Sequence, residues 1–371
     1  MAGGTASESS STVAAPASAR RVIGLMSGTS IDGVDAAAIV TDGLSFVELG
    51  PALTIAYEPA LRERIRAVLG AVGDVAGVER AMTEAHAAAI DTLVRRHGLT
   101  DVKLIGFHGH TILHRPRDGV TRQMGDAALL ARLTGRDVVH DFRSADVAAG
   151  GEGAPFVPLY HRALAAPLEK PLAVVNIGGV ANVTWLGAGE DDILAFDTGP
   201  GNALLDDWAL AHTGRAIDEG GALARSGRVD EGRLARFLAH PYFAQRPPKS
   251  LDRDDFKQFM PAGLSPADGA ATLTAMAAAA IAAAAAHFPA AAKRYLVTGG
   301  GRRNPVLMKM LRQRLKAPVE PVEQAGWDGD ALEAQAFAYL AVRSLKGLPL
   351  SLPGTTGVKA PTTGGRLYRA A

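Results

Sequence analysis

The 371-residue chain contains no cysteine, which excludes both disulfide bridges and thiolate chemistry. Its charges nearly cancel, because 39 basic residues face 38 acidic ones and the formal net charge is +1. A surface for nucleic acid or another polyanion needs a clear basic excess, so no such partner is expected. The lack of cysteine fits a reducing compartment, and we expect a cytoplasmic protein.

Long apolar runs are also scarce. Residues 1–20 are rich in Ala, Ser, Gly and Thr and lack the basic start and apolar core of a signal peptide. This composition predicts a flexible tail. The one long apolar stretch, 270–288, is mostly alanine, which forms helices well but is only weakly apolar. We therefore predict a packed core helix there and no membrane partner.

Two segments of the chain repeat one order of predicted elements. Each has three short apolar strands, with a Gly-rich turn between the first two, followed by helices. The strands are predicted at 21–26, 34–41 and 45–49, and again at 173–177, 181–186 and 193–197. Such a duplication predicts two related α/β lobes with a ligand crevice between them. A single α/β domain with several hairpins remains the alternative.

Three Gly-rich turns follow predicted strands, at 27–33, at Gly178–Gly179 and at Gly299–Gly301 (that is, Gly299, Gly300 and Gly301). Glycine lets the backbone approach a phosphate closely, and consecutive N–H groups in a turn form an anion-binding nest. The sequence has no G-x-x-x-x-G-K-S/T motif, which excludes a P-loop. No convincing G-x-G-x-x-G opens a helix, which argues against a dinucleotide fold. We predict phosphate held by paired hairpin turns.

The first turn combines hydroxyl groups, glycine and aspartates. Hydroxyl and amide donors suit a γ-phosphate, and a nearby aspartate can hold Mg²⁺ directly or through water. The predicted phosphate-binding residues are Ser27, Gly28, Thr29, Ser30, Ile31, Asp32, Gly33, Val34 and Asp35. The alternative is that Asp32-Gly33 is simply a hairpin corner, where this pair is common.

Asp197 ends a predicted strand and precedes Thr-Gly-Pro-Gly-Asn. Strand ends that face a cleft are where α/β proteins place working groups, and the next helix start offers N–H donors to an anion. The carboxylate predicts a general base or a metal ligand. As a base toward water it must be ionised, which an unperturbed aspartate is at neutral pH. A turn aspartate is the alternative.

Three histidines and one polar segment stand between these motifs. His108, His110 and His114 suggest zinc, but without cysteine or an H-E-x-x-H motif we favour local hydrogen bonding or substrate contact. The Gly-rich polar segment 141–155 precedes the second repeat. Both a solvated loop and a cleft-lining role remain open for it.

Together these motifs resemble the anhydro-N-acetylmuramic acid kinases. The similar segments are 24–35, 106–112, 141–143, 148–155, 176–183, 196–202 and 298–304. They occur in order between about Val22 and about Leu367, and they leave the N-terminal tail outside. The chain departs from the family pattern at His110 and Glu152, since the family often has Gln at both positions.

The resemblance implies the actin-like ATPase (hexokinase/actin) fold, with two RNase H-like lobes around a central cleft. Residues 21–140 are then expected to form lobe I, completed by residues 331–371. Residues 141–330 are expected to form lobe II. The family also implies a homodimer.

The resemblance further implies an ATP- and Mg²⁺-dependent sugar kinase of peptidoglycan recycling. Water opens the 1,6-anhydro ring of the sugar while O6 receives the γ-phosphate. Asp197 is implied as the base and Gly299–Gly301 as the adenosine contact. From the chemistry of their carboxylates, Asp32 and Asp197 are the expected Mg²⁺ ligands, directly or through water. Thr111, Arg143 and Glu333 are the expected sugar contacts, with Arg143 suited to the lactyl carboxylate. An actin-like regulatory ATPase without a sugar substrate is the alternative function.

Overall fold

Apolar strands assemble into two mixed β-sheets in the computed structural model, which describes residues 14–28 and 30–370. The strands are β1 Arg20–Ser27, β2 Gly33–Thr41, β3 Val47–Ala56, β4 Leu104–Arg115, β5 Val120–Met124, β6 Asp137–His140, β7 Leu172–Ile177, β8 Val180–Leu186, β9 Ile193–Pro200, β10 Tyr295–Thr298, β11 Val319–Pro321 and β12 Arg366–Tyr368. The helices are α1 Pro59–Ala67, α2 Val75–His97, α3 Ala127–Thr134, α4 Ser144–Ala148, α5 Pro158–Leu164, α6 Ala203–Thr213, α7 Ala222–Ser226, α8 Glu231–Leu238, α9 Pro266–Ala284, α10 Pro305–Arg314, α11 Leu332–Leu345 and α12 Pro353–Thr356.

The two sheets share one strand order. The first runs β12-β6-β4-β1-β2-β3, with β5 paired to β4, and the second runs β11-β10-β7-β8-β9. In each, three consecutive strands pair antiparallel, and two later strands, β4 and β6 or β10 and β11, add in parallel beside the first of them. In the first sheet β5 and β12 then pair antiparallel with β4 and β6. The order β3-β2-β1-β4-β6 thus matches β9-β8-β7-β10-β11. The predicted α/β class and its internal duplication are confirmed.

Buried side chains form layers on both faces of each sheet. A central core between the sheets contains α5 and α11 and joins Val22 of β1 to Val174 of β7. A second core packs α1, α2 and α3 on the outer face of the first sheet. A third packs α9 and α10 on the outer face of the second sheet. Helix α11 therefore lies where residues of both sheets can reach its first turn.

Two glycines bring α11 unusually close to the first sheet. A Cβ on Gly24 would lie 1.8 Å from the carbonyl oxygen of Ala334. A Cβ on Gly106 would lie 2.0 Å from that of Phe337. Glycine is therefore required at both positions by direct backbone contact. The contact fixes the height of α11 above the sheet, and with it the position of Glu333.

Helix α9 comes from the Ala-rich stretch. The Ser265 hydroxyl accepts a hydrogen bond from the amide of Asp268, and Pro266 occupies the first helical position. Among the described residues one helical segment, Pro266–His287, is long and apolar enough to cross a membrane, but 78% of its most apolar stretch is buried in the protein. The predicted core helix is confirmed.

The third strand extends beyond its predicted end at residue 49. Gly50 and Pro51 suggest a turn in the sequence, yet β3 continues to Ala56. Its register against β2 shifts between Ala37 and Ile39, so a bulge absorbs the proline. Since β3 is an edge strand, Pro51 removes no essential ladder bond. Of the predicted tail, residues 1–13 lie outside the described residues.

Candidate active site

The register of the second sheet aligns four polar residues in neighbouring strands. Thr298 pairs with Asn176, Asn176 with Asn182, and Asn182 with Asp197. The row lies near the carboxyl ends of β7 and β10, at the edge of the sheet where α/β proteins place ligands. Both asparagines interrupt otherwise apolar strands, and this interruption was the available signal for two residues that our sequence prediction missed.

The half-buried Asp197 is held by bonds to its backbone and its carboxylate. Its Oδ2 accepts a hydrogen bond from the Leu251 amide at 2.9 Å, and its own amide donates to the Lys249 carbonyl at 3.0 Å. The Tyr242 hydroxyl donates to its carbonyl. Burial, assisted by the charge of Glu152 and opposed by the Leu251 hydrogen bond, raises the pKa of Asp197 to about 7. The Asp197 carboxyl therefore differs from an unperturbed aspartate, because desolvation disfavours its charged form.

Residues 249–251 cross over Asp197, and we call them the Lys249–Leu251 strap. The Lys249 ammonium donates to the Tyr242 carbonyl at 2.8 Å and lies 4.4 Å from the centre of the Tyr242 ring. Burial lowers the pKa of Lys249 to about 8. The Ser250 hydroxyl donates to Glu152 at 2.7 Å. No sequence motif marks this strap, because its partners are far away along the chain.

On the first sheet, Ser27 ends β1 with its side chain turned inward. It is 1% exposed, and its hydroxyl lies 3.2 Å from His110 Nδ1 while accepting a hydrogen bond from the Tyr57 hydroxyl at 3.0 Å. Burial lowers the pKa of His110, so its ring is neutral at physiological pH. Here the predicted local hydrogen bonding of His110 is present. The predicted contact Thr29 lies outside the described residues.

The phosphate turn has a strained corner. Ile31 is buried with φ of 56°, and its amide donates to the Gly28 carbonyl at 3.0 Å. A β-branched residue in this left-handed region is rare and costs about 1–3 kcal/mol. Ser30 is exposed, as is Asp32, which pairs with Arg62 at 3.0 Å.

The following residues enter β2. Gly33 must be glycine, because a Cβ there would lie 2.3 Å from the Ile55 carbonyl oxygen. Val34 is buried in the core of the first sheet. The hydrogen-bonded turn closes earlier, between Gly28 and Ile31, and Gly33, already in β2, pairs with Ala56 of β3. The Asp32-Gly33 pair is therefore not the hairpin corner that the alternative interpretation held, and the exposed Asp32 carboxylate is paired with Arg62.

Asp35 faces a small cleft shared with the segment before α11. Its Oδ1 accepts a hydrogen bond from Thr54 at 2.6 Å, and Asp328 and Asp330 line the same cleft. Burial raises the pKa of Asp35, and the charges of these aspartates add to the effect. Asp330 also pairs with Arg302 at 3.0 Å. Our sequence prediction missed Asp328 and Asp330, although Trp-Asp-Gly-Asp directly before a helix was a visible signal.

Arg143 is held by two neutral acceptors. Its Nε donates to His108 Nε2 at 2.9 Å, and its Nη1 donates to the Gly153 carbonyl at 2.6 Å. His108 Nδ1 lies 2.9 Å from the Gly109 carbonyl and must donate to it, which makes Nε2 an acceptor. Burial lowers the pKa of Arg143 to about 10 and that of His108 well below its usual value. Within the described residues Arg143 forms no ion pair, so this guanidinium suits an anionic ligand.

Glu333 joins the two sheets. It stands in the first turn of α11, and its Oε1 accepts a hydrogen bond from Asn176 of β7 at 3.3 Å. Burial raises the pKa of Glu333; the charge of Arg143 opposes the rise and that of Asp35 adds to it. Three predicted residues, Arg143, Glu333 and Asp35, thus lie within electrostatic reach of one another.

Thr111 lies apart from this group along β4. Its hydroxyl accepts a hydrogen bond from Gln123 of β5 at 3.2 Å, and it is half-buried. The bond leaves its hydroxyl proton available to another acceptor.

The β7–β8 turn is tied to the start of α6. The Gly178 carbonyl accepts from the Asn202 amide at 2.8 Å, and the Gly179 carbonyl accepts from the Gly201 amide at 2.9 Å. With both carbonyls turned toward the helix start, Gly179 is exposed. A Cβ on either glycine of the turn would find no atom closer than 3.5 Å, so the space above the turn is open.

Of the three glycines after β10, two are required by close packing and one faces open space. At Gly299, with φ of 74°, a Cβ would lie 2.4 Å from Asn176 Oδ1. At Gly301 it would lie 2.4 Å from the Ile177 side chain. Only Gly300 is exposed and faces open space. Packing against the end of β7 therefore explains Gly299 and Gly301 without a nucleotide.

Over the part of the chain that the structure describes, no group of three or more His, Asp or Glu side chains is arranged to hold a metal ion. The predicted ligands belong to different sheets, since Asp32 directly precedes β2 of the first and Asp197 lies within β9 of the second. Magnesium commonly binds through one or two carboxylates together with phosphate oxygens and water. The carboxylates here suit an ion that arrives with a nucleotide.

Known proteins are similar to this chain over nearly its whole length. A family model described as anhydro-N-acetylmuramic acid kinase matches residues 20–370. A protein of that name from Paramagnetospirillum magneticum is 58% identical over 349 residues, covering 93% of this chain and 98% of its own. One from Rhodospirillum rubrum is 56% identical over 354 residues, covering 94% of each chain. Among solved structures, gluconate kinase from Lactobacillus acidophilus aligns at TM-score 0.46 and 9% identity over 95% of this chain and 94% of its own. The ROK hexokinase from Thermus thermophilus aligns at 0.40 and 19% over 88% and 100%.

Proposed function

Because the chain belongs to the anhydro-N-acetylmuramic acid kinase family, we propose that it opens 1,6-anhydro-N-acetylmuramic acid with water and phosphorylates O6 at the expense of ATP. The products are N-acetylmuramic acid 6-phosphate and ADP, and the reaction belongs to peptidoglycan recycling. The observation that carries the proposal is Asp197, a half-buried carboxylate within β9, three residues before the strand ends at Pro200, whose pKa of about 7 suits a general base.

Asp197 acts on water in this proposal. Ionised Asp197 takes a proton as the water oxygen bonds to the anomeric carbon, and the bond from that carbon to O6 breaks. The electron pair left on O6 forms a bond to the γ-phosphorus, while the bond from that phosphorus to the β,γ-bridging oxygen breaks and ADP leaves. Phosphoryl transfer traps the developing alkoxide, so a separate general acid of the glycosidase type is not needed.

The two hairpin turns are proposed to hold the phosphates. The amide groups of Gly28 and Ser30 lie between β1 and β2 of the first sheet, and Gly178–Gly179 offers the matching turn of the second. Asp32, which is exposed, and Asp197 would supply carboxylate oxygens to Mg²⁺, directly or through water. When bound, Mg²⁺ neutralises the charge that develops on the transferred phosphoryl group.

The sugar is proposed to lie between Arg143 and Glu333. Arg143 has no acidic partner among the described residues and retains donors beyond its bonds to His108 and Gly153, so it meets the lactyl carboxylate. Glu333 contacts the sugar near the reacting centre, and the free proton of the Thr111 hydroxyl completes the predicted contacts.

The test is ATP turnover with and without 1,6-anhydro-N-acetylmuramic acid. Wild-type protein is expected to release ADP only with the sugar, and Asp197→Asn is expected to lower kcat about 10²–10⁴-fold. Asp191→Asn, an exposed aspartate on the loop before β9, serves as the matched control. ADP release that needs no sugar and survives Asp197→Asn would overturn the proposal in favour of a regulatory ATPase.

We also propose a cytoplasmic homodimer without a nucleic-acid or membrane partner. The near-neutral formal net charge of +1 and the buried position of α9 support the last two points. Light scattering after size-exclusion chromatography tests the dimer, and a mass of about one chain would contradict it.

A further inference from the structure

The polar segment between the two repeats builds a rigid turn after α4. The Gly153 amide donates to Asp146 Oδ1 at 2.7 Å, and the Thr356 hydroxyl donates to Asp146 Oδ2 at 2.6 Å. The Glu152 amide donates in turn to the Thr356 carbonyl at 2.7 Å. Buried Asp146 and the segment around Thr356 therefore hold the backbone of Glu152 from both sides.

Close packing explains the glycines of this turn. A Cβ on Gly151 would lie 2.3 Å from Asp146 Oδ1. Gly153 has φ of 66°, and a Cβ there would lie 2.7 Å from Val147 and 2.8 Å from His114. The turn therefore cannot relax around other side chains, and it presents Glu152 in one direction.

Glu152 reaches Asp197 through the Lys249–Leu251 strap. Its Oε2 accepts a hydrogen bond from the Ser250 hydroxyl at 2.7 Å. The residue after Ser250 donates its amide to Asp197 Oδ2 at 2.9 Å, and the residue before it accepts from the Asp197 amide at 3.0 Å. Ser250 is thus the middle of three residues whose outer two hold Asp197.

We propose that Glu152 is a positioning residue which, through Ser250, holds the strap so that the Leu251 amide fixes Asp197 Oδ2 and leaves Oδ1 to the reacting water. This inference rests on the proposed function of Asp197. The carbonyl of the neighbouring Gly153 accepts a hydrogen bond from Arg143 at 2.6 Å. The same rigid turn therefore positions both Asp197, the general base, and the Arg143 guanidinium, which meets the sugar carboxylate.

Steady-state kinetics of four variants test the inference. Glu152→Ala and Ser250→Ala are each expected to lower kcat about 10–100-fold with KM for ATP unchanged, because a base displaced by about 1 Å loses up to about 10²-fold in rate. Glu152→Gln, which keeps an oxygen acceptor for Ser250, is expected to recover most of that loss. The double variant Glu152→Ala with Ser250→Ala is expected to be no slower than either single one, since both remove the same link.

Several results would overturn it. Unchanged kcat in Ser250→Ala does so, and so does additive loss in the double variant. If Glu152→Gln is as slow as Glu152→Ala, positioning through Ser250 is also wrong. Ser250→Ala removes a single hydroxyl, so it decides the case should Glu152→Ala unfold, and Glu190→Ala controls for loss of an exposed glutamate. A failure of Asp197→Asn to lower sugar-dependent turnover would instead reject the proposed function itself.

Discussion

At the scale of single residues, burial sets the chemistry of Asp197. Its pKa of about 7 places the loss of its proton inside the physiological range. For a general base the active form is the ionised one, so kcat/KM is expected to rise with pH through about 7 and then level off. Glu152 contributes to raising this pKa, so Glu152→Gln is expected to move the midpoint to lower pH. A profile of kcat/KM from pH 5 to 9 checks both; a wild-type midpoint near 4 would contradict the burial argument.

The same pKa shift predicts a stability effect. The folded-state pKa of Asp197, about 7, lies above the usual value of 3.8, so the fold favours the protonated form. Its contribution is fully present below pH 3.8 and is lost as pH rises through about 7. Asp197→Asn, which stays neutral, is therefore expected to melt above wild type at pH 8 and alongside it at pH 4. Thermal unfolding at both pH values measures this, and equal melting temperatures at pH 8 would contradict it.

Arg143 offers a test of charge and shape together. Arg143→Ala is expected to raise KM for the anhydro-sugar about tenfold or more, because a charged hydrogen bond contributes about 1.5–3 kcal/mol. Arg143→Lys should restore little, since a lysine cannot bind His108 and Gly153 while also meeting a carboxylate. The exposed Arg96→Ala is the control. Initial rates at varied sugar concentration give the KM of each variant. An unchanged KM for the sugar in Arg143→Ala would contradict the proposed contact between Arg143 and the lactyl carboxylate.

The residues that sequence reasoning finds differ in kind from those it misses. Asp197 ends a predicted strand and precedes Thr-Gly-Pro-Gly-Asn, so local pattern alone marks it, although β9 itself continues to Pro200. The Ser250–Glu152 bond joins residues 98 positions apart. Glu152 lies in the recognisable segment 148–155, but Ser250 belongs to no such segment, so nothing in the sequence connects the two. The raised pKa of Asp197 was not predictable for the same reason, because the burial that raises it is created by chain segments far away in sequence.

At the scale of elements, local signals set some boundaries well. Helix α3 begins after Asp126, whose carboxylate accepts from the Leu129 amide, and ends at left-handed Gly135, so residue types that favour caps mark both of its ends. Asn304 likewise caps α10. Strands β11 and β12 have three residues each and were not predicted. They exist because partner strands supply their hydrogen bonds, and periodicity carries no signal over three residues.

Helix α11 supplies a prediction about close packing. Gly106→Ala would place a Cβ 2.0 Å from the Phe337 carbonyl oxygen, which is backbone and cannot move alone. The variant is expected to lose at least about 3 kcal/mol of unfolding free energy, or to fail to fold. Gly232→Ala, near the start of α8, has only an ordinary 3.4 Å contact and should be neutral or slightly stabilising. Denaturant unfolding of Gly106→Ala and Gly232→Ala measures the difference in their free energies of unfolding. Equal values would mean that α11 can move away from the sheet.

At the scale of the whole molecule, each of the two duplicated sheets carries a different part of the proposed site. The phosphate turn at 27–35 belongs to the first sheet, and Asp197 with Gly178–Gly179 belongs to the second. Glu333 stands on α11, which packs on the first sheet, yet it binds Asn176 of the second. Each sheet begins with three strands and a Gly-rich turn between the first two, so the duplication was predictable from this order of elements. The arrangement of the two sheets relative to each other depends on the central core, so it was not predictable from the sequence.

This division predicts closure on binding both substrates. Water must be limited to the one molecule that reacts, and each half carries only part of the proposed site. Asp197→Asn with ATP, Mg²⁺ and the anhydro-sugar is expected to have a smaller radius of gyration than with either substrate alone, measured by small-angle X-ray scattering. The Asp197→Asn variant slows turnover during the measurement. Asp191→Asn without ligands gives the radius of gyration of the unliganded protein. Equal radii in all mixtures would mean that the halves already hold their reactive arrangement. In that case Glu333 and Asn176, 3.3 Å apart, fix the site before substrate arrives, and Asn176→Ala should then leave the radius of gyration unchanged and lower kcat alone.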